Sequence, residues 1–186
     1  MKYDLFATPV WVEQFNDAEK LNKQLLDIGK IFQFGDEYFD LPGKAIQTLK
    51  TWVLSCADAI SKEYRWYDSP KIIHGRQNPI APNQCDTPHW HPHAKLIAIY
   101  YLQVQENQGD ILLMDPRGAT WWPDPKVETN EYRLGRMYHR INPKPGMLVM
   151  FPNYLVHSVE TNLSDSYRIS ITMEIFDPPK DTFTYH

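Results

Sequence analysis

The chain has 186 residues, with 42% apolar and 23% charged side chains and a formal net charge of -4. That length suits one ordinary domain, and that composition supports a buried core rather than disorder. The small acidic excess argues against a general nucleic-acid binder, and no apolar run approaches the roughly 18 residues of a membrane helix.

The first stretch has Asp4 and Glu13 where a signal peptide would be apolar, so a cytoplasmic protein is expected. Asn16 followed by Glu19 resembles a capping box, and Ala18, Leu21, Leu25 and Ile28 then recur at helical spacing. A stronger apolar stripe runs through Ile46, Leu49, Val53, Cys56 and Ile60, with Pro42 and Gly43 before it. Helices are therefore predicted near residues 17–30 and 44–64. They have room to pack on the rest of the chain or on a second copy, which leaves a homodimer open. Cys56 and Cys85 are too few for a disulfide framework and read as reduced thiols.

From residue 71 onward the pattern changes to short β-like runs separated by Pro, Asn, Asp or Gly. The predicted strands are Lys71–Arg76, Leu96–Val104, Asp110–Met114, Met147–Phe151, Leu155–Val159 and Tyr167–Phe176. Two helices followed by many short strands indicate an α+β, mainly β chain whose sheets form a sandwich or barrel. Residues 1–186 are expected to be one domain, with 1–70 as helical support and 71–178 as the β core. The stretch 117–140 contains Trp121, Trp122, His139 and Arg140. It is long for a connection within a domain, and reads as a functional loop or as a surface excursion covering the sheet.

Histidine is the unusual residue. Of seven, His89, His91 and His93 lie within five positions. On an extended chain residues i and i+2 share a face, so His89 and His91 can converge on one metal ion, for which imidazole is a suitable donor. His91 with His93 is the other possible pair. A third ligand has to come from elsewhere in the chain, and His157 lies in a later predicted strand. Arg168 follows, and Arg168, Ser170 and Thr172 share one face of the last strand. An Arg with two hydroxyl groups is a reasonable cradle for a carboxylate.

The order HxH, then His, then Arg resembles the double-stranded β-helix Fe(II)/2-oxoglutarate-dependent oxygenases. IYYL at 99–102, Gly109 to Leu113, the strand ending in Phe151 and Pro152, and RISITMEIFD at 168–177 are similar to strands of the prolyl-hydroxylase type. HxHP, IYYL, DPR, PGxLVxFP and RIS together resemble a group of oxygenases from marine bacteria and their phages. The resemblance covers about residues 72–177 and is weak over the helices.

The resemblance implies a jelly roll with the two N-terminal helices packed against it. It also implies Fe(II) on His89, His91 and His157, with 2-oxoglutarate held by Arg168, Ser170, Thr172 and Tyr101. Asn78 can face the same pocket or serve an Asn-Pro turn. The implied reaction is hydroxylation of a protein, prolyl or amino-acid C–H bond with release of succinate and CO2. Partners would then be this small-molecule cosubstrate and a peptide or amino-acid substrate, with neither nucleic acid nor membrane. The resembling group also places the protein in the cytoplasm of a bacterium, including a phage-infected one.

One position departs from the resemblance. His91 stands where most relatives carry a carboxylate; Asp86 and Asp115 are the nearby acids that could supply one, although the resemblance places Asp115, in the DPR segment, away from the metal. A halogenase is excluded on this reading, because His91 fills the space a halide would need. Two other classes remain in view: a cupin-like three-His dioxygenase that binds its substrate without 2-oxoglutarate, and a non-catalytic jelly-roll binding module.

Overall fold

The computed structural model describes residues 7–29, 38–64, 70–117 and 138–176. The layering follows from strand β4 (Leu96–Gln103), whose sequence LIAIYYLQ is apolar on both faces. Successive strand residues point to opposite sides. Leu96, Ala98, Tyr100 and Leu102 accordingly enter a core shared with the helices. Ile97, Ile99 and Tyr101 enter a second core shared with the other sheet. A strand covered on both sides needs a continuous apolar run, and β4 has one.

The helices fall close to their predicted positions. Helix α1 spans Ala18–Gly29 and α2 spans Lys44–Tyr64, with a 3-10 turn at Tyr38–Asp40 between them. The capping signal at Asn16 falls one residue early. The first helical carbonyl acceptor is that of Asp17, which takes the Leu21 amide at 3.5 Å and sits at φ 57. In α2, Ile46, Leu49, Val53 and Ala57 are fully buried, each contributing roughly 1–3 kcal/mol of apolar transfer energy. Cys56 is half-buried and packs against the same core, with Ala57 fully buried beside it and Ile60 closing the stripe. Both helices pack on the β4 side chains of the first core, so they cover this chain's own sheet.

Among the described residues nine strands form two antiparallel sheets. Besides β4, the chain contains β1 (Trp11–Gln14), β2 (Lys71–Ile80), β3 (Asp86–His89), β5 (Ile111–Met114), β6 (Tyr138–Ile141), β7 (Met147–Pro152), β8 (His157–Val159) and β9 (Arg168–Phe176). The larger sheet has the order β1-β7-β4-β9-β2, and the smaller has the order β3-β8-β5-β6. The second core draws Ile97, Ile99 and Tyr101 from β4, Val149 and Phe151 from β7, and Ile111 and Leu113 from β5, so it joins the two sheets. The predicted strand at 155–159 begins only at His157, since Leu155 closes a turn by donating its amide to Pro152.

Gly109 sits at φ +82 at the entry to β5, and a Cβ there would run into the carbonyl oxygen of Glu160. Replacing it with Ala combines a left-handed backbone with a backbone clash. Gly109→Ala is expected to lower stability by about 1–3 kcal/mol, read as a drop in thermal midpoint.

Candidate active site

Strand β3 ends at His89, which pairs in register with His157 at the start of β8. His91 follows two residues later, just beyond the strand, and is fixed by the turn before β8. Its amide donates to the Asn153 carbonyl at 3.4 Å, and Asn153 Nδ2 donates back to the His91 carbonyl at 3.3 Å. Three rings from two distant parts of the sequence therefore meet. Their centroids are 4.3 Å apart for His89–His157 and 5.3 Å for His91 with either partner. One donor nitrogen from each ring lies within 4.8 Å of the others, a set able to hold one metal ion.

Each ring has its Nδ1 engaged outward. His89 Nδ1 lies 2.7 Å from the Thr87 carbonyl, and His157 Nδ1 lies 3.1 Å from the Leu155 carbonyl. His91 Nδ1 lies 2.8 Å from Glu174 Oε1. A carbonyl only accepts, so Nδ1 carries the proton in His89 and His157 and the Nε2 lone pair is left for a ligand. His91 Nε2 is buried with no hydrogen-bond partner. Buried nitrogens without partners are costly, and a metal ion is one of the few partners three convergent imidazoles can share.

Burial pushes His157 down to about 4, with the neighbouring His89 and His91 adding to the effect. His91 is also lowered by burial, against the opposing pull of Glu174. Both are neutral near pH 7, the state that ligates metal. In the unfolded chain His157 takes a proton near pH 6.5, but in the folded protein it does so only near 4. Between these values the unfolded state binds more protons, so stability falls as pH falls. The metal-free protein is expected to hold its denaturant midpoint above pH 6.5 and to lose roughly 3 kcal/mol by pH 4 from this residue. His157→Phe should flatten that slope.

The other half of the site lies on β9. Arg168, Ser170, Thr172 and Glu174 alternate with Ile169, Ile171, Met173 and Ile175, of which Ile171, Met173 and Ile175 are buried in the helix-side core. Arg168 is 1% exposed, and its Nη1 donates to the Gly109 carbonyl at 3.2 Å. Its guanidinium carbon lies 5.2 Å from the Tyr101 ring centre. Arg168 Nε and the Tyr101 hydroxyl are both buried without partners. Burial lowers Arg168 from the usual guanidinium range and raises Tyr101 to about 12, so Tyr101 remains a neutral donor. Among the described residues no carboxylate forms an ion pair with Arg168. A buried cation in that state costs several kcal/mol of desolvation that an incoming anion would offset.

One cavity joins the two halves, lined by His89, His91 and His157 together with Arg168, Ser170 and Thr172. Asn78 lines it from β2, where it stands opposite Ser170, and it is part of a strand rather than an Asn-Pro turn. Its Nδ2 donates to Asp86 Oδ2 at 2.9 Å. Asp86 lines the cavity but is outside the convergent donor set. Asp115 is turned onto Arg117, with Oδ2 2.6 Å from Nη2 and Oδ1 accepting from both Nε and the backbone amide at 2.9 Å. His93 is exposed and also outside the set. His139 and Arg140 belong to β6, where Arg140 pairs with Glu160 and Asp110. Trp121 and Trp122 lie outside the described residues.

Glu174 and Arg76 are site residues that the sequence reading overlooked. Both had a signal: Glu174 is the next step of the 168-170-172 alternation, and Arg76 is two residues before Asn78 on the same strand face.

Residues 77–174 match the family described as "Putative 2OG-Fe(II) oxygenase". No curated protein matches the sequence. Among solved structures, a Pseudomonas putida prolyl-4-hydroxylase is similar with a TM-score of 0.65 at 15% identity, over 95% of this chain and 92% of that one. The viral collagen prolyl hydroxylase of Paramecium Bursaria Chlorella virus-1, in its 2OG complex, has a TM-score of 0.56 at 12% identity, over 89% and 95%. HygX from Streptomyces hygroscopicus, with nickel and 2-oxoglutarate bound, has a TM-score of 0.59 at 10% identity, over 91% and 82%. At these identities the likeness concerns the fold. Among the described residues no helix is long and apolar enough to cross a membrane.

Proposed function

Because the chain belongs to the 2OG-Fe(II) oxygenase family, for which Fe(II) is the cofactor and 2-oxoglutarate the cosubstrate, we propose that it hydroxylates a C–H bond in a prolyl or other protein side chain, or in an amino acid. On this reading the two sheets are the halves of a double-stranded β-helix. Residues 71–178 form the catalytic core of a single domain, and 1–70 support it.

The observation that carries the reading is a single cavity with two unsatisfied ends. At one end three imidazoles have their Nδ1 atoms engaged, which leaves three Nε2 donors for a metal. At the other end a buried guanidinium has no anion and a buried phenol has no acceptor. Bound Fe(II), with O2 and 2-oxoglutarate, supplies the oxidising power that C–H cleavage requires.

The chain's own residues bind and orient. His89, His91 and His157 hold the metal through Nε2. Arg168 takes the distal carboxylate of 2-oxoglutarate, with the Tyr101 hydroxyl, Ser170 and Thr172 completing its hydrogen bonds. Asn78 holds Asp86 to one side of the cavity. The three-His reading without 2-oxoglutarate leaves Arg168 buried with no anion to bind, which favours the oxygenase that uses it.

Anaerobic addition of Fe(II) and then 2-oxoglutarate to the full chain is expected to produce a visible metal-to-ligand charge-transfer band. Admission of O2 should then yield succinate. No band and no 2-oxoglutarate-dependent O2 uptake would overturn this reading.

A further inference from the structure

Three neutral imidazoles leave a divalent cation with its full charge. The usual facial triad of non-haem Fe(II) oxygenases neutralises part of that charge with a ligand carboxylate. In this chain the corresponding position is His91, yet a carboxylate is still present. Glu174 Oε1 lies 2.8 Å from His91 Nδ1, with the two side chains only 19% and 9% exposed. Glu174 stands at the far end of the same β9 face as Arg168. It faces His74 across β2 and Ile97 across β4, and Arg76 is one pleat further along β2.

We propose that Glu174 is the positioning residue that returns the missing carboxylate to the metal site, one hydrogen bond removed from the ion. It selects Nε2 as the nitrogen that His91 offers, and it sets a negative charge against the ligand set through the ring. Hydrogen-bonded partners of this kind raise the basicity of a ligand imidazole, and their loss typically weakens metal binding about 10–100-fold. The geometry separates this role from simple packing. Gln in place of Glu keeps an acceptor oxygen of the same reach and removes only the charge.

The role rests on metal binding as proposed above, and it predicts a charge exchange between two positions. Glu174→Gln removes the carboxylate. His91→Asp installs one directly on the ligand set, where Glu174 then becomes a repelling neighbour. The full chain, stripped of metal, is titrated with Co(II) alone. Affinity is measured by calorimetry, and ligand geometry by the visible Co(II) spectrum. Glu174→Gln is expected to bind Co(II) about 10–100-fold more weakly than wild type, with a shifted spectrum. In the His91→Asp background the same substitution is expected to cost nothing or to tighten binding.

Equal affinity of Glu174→Gln and wild type overturns the role, as does the same loss in both backgrounds. If Glu174→Gln alone melts below the assay temperature, the double variant carries the test: binding weaker than His91→Asp overturns the proposal. The two readings fail separately. Wild type that takes up no Co(II) removes the metal site itself. Wild type that binds Co(II) no better than Glu174→Gln removes only the role of Glu174.

Discussion

Arg168→Met is expected to weaken 2-oxoglutarate binding by about 30- to 5,000-fold while leaving Fe(II) binding intact. Removing one partner of a buried, hydrogen-bonded charge pair typically costs 2–5 kcal/mol, which corresponds to that range. The unliganded protein should respond differently. Arg168 is buried without a paired carboxylate among the described residues, and its Nε has no partner. Met fills similar space without the desolvation cost, so replacing a buried charge in this way is neutral or stabilising. The cost on the other side is the Gly109 carbonyl, which loses its 3.2 Å donor. A thermal midpoint at or above that of wild type, no longer raised by 2-oxoglutarate, is the expected signature. Ligand stabilisation of RT ln(1 + [L]/Kd) makes the same melting experiment report both quantities. Undiminished stabilisation by 2-oxoglutarate in Arg168→Met would place the cosubstrate elsewhere.

His157→Ala is expected to have the larger effect on the metal. It removes one of three donors from a set with no carboxylate to compensate, and Fe(II) occupancy after loading should fall to near zero by elemental analysis. Truncation also leaves the Leu155 carbonyl without its donor and the Phe151 ring without a partner whose centroid lies 4.8 Å away. The lost hydrogen bond alone costs about 1–3 kcal/mol. Added imidazole should restore part of the metal binding if the defect is the missing donor. Restored folding without restored metal would separate the two effects. Full metal occupancy in His157→Ala would exclude this residue as a ligand.

Much of the scaffold was visible in the sequence because its elements carry their own periodicity. The stripe in α2 and the doubly apolar run of β4 need no partner to be recognised, since burial dictates their pattern. The strands that escaped notice, β1, β3 and β6, all lie at sheet edges, and each has only four residues. WVEQ, DTPH and YHRI are largely exposed, so no alternation marks them. Pro88 inside β3 argues against a strand anywhere except at an edge, where its missing amide donor costs no ladder bond.

The site divides in the same way. Order and residue type along one chain were enough to suggest His89, His91 and His157 as one group and Arg168, Ser170 and Thr172 as one face. These follow from the two-residue period of a strand, which is a local property. Which acid stands beside His91 is not local. Asp86 and Asp115 are near in sequence, but one is bonded to Asn78 and the other is closed onto Arg117. The carboxylate that reaches His91 comes from Glu174, 83 residues later. The register of β9 between β2 and β4 puts it there, and that register is set by burial of Ile171, Met173 and Ile175 against the helices. A one-residue slip would turn Arg168 and Glu174 together into the helix-side core. Residue chemistry was therefore written in the sequence, while the electrostatics of the metal site depended on how the sheet packs.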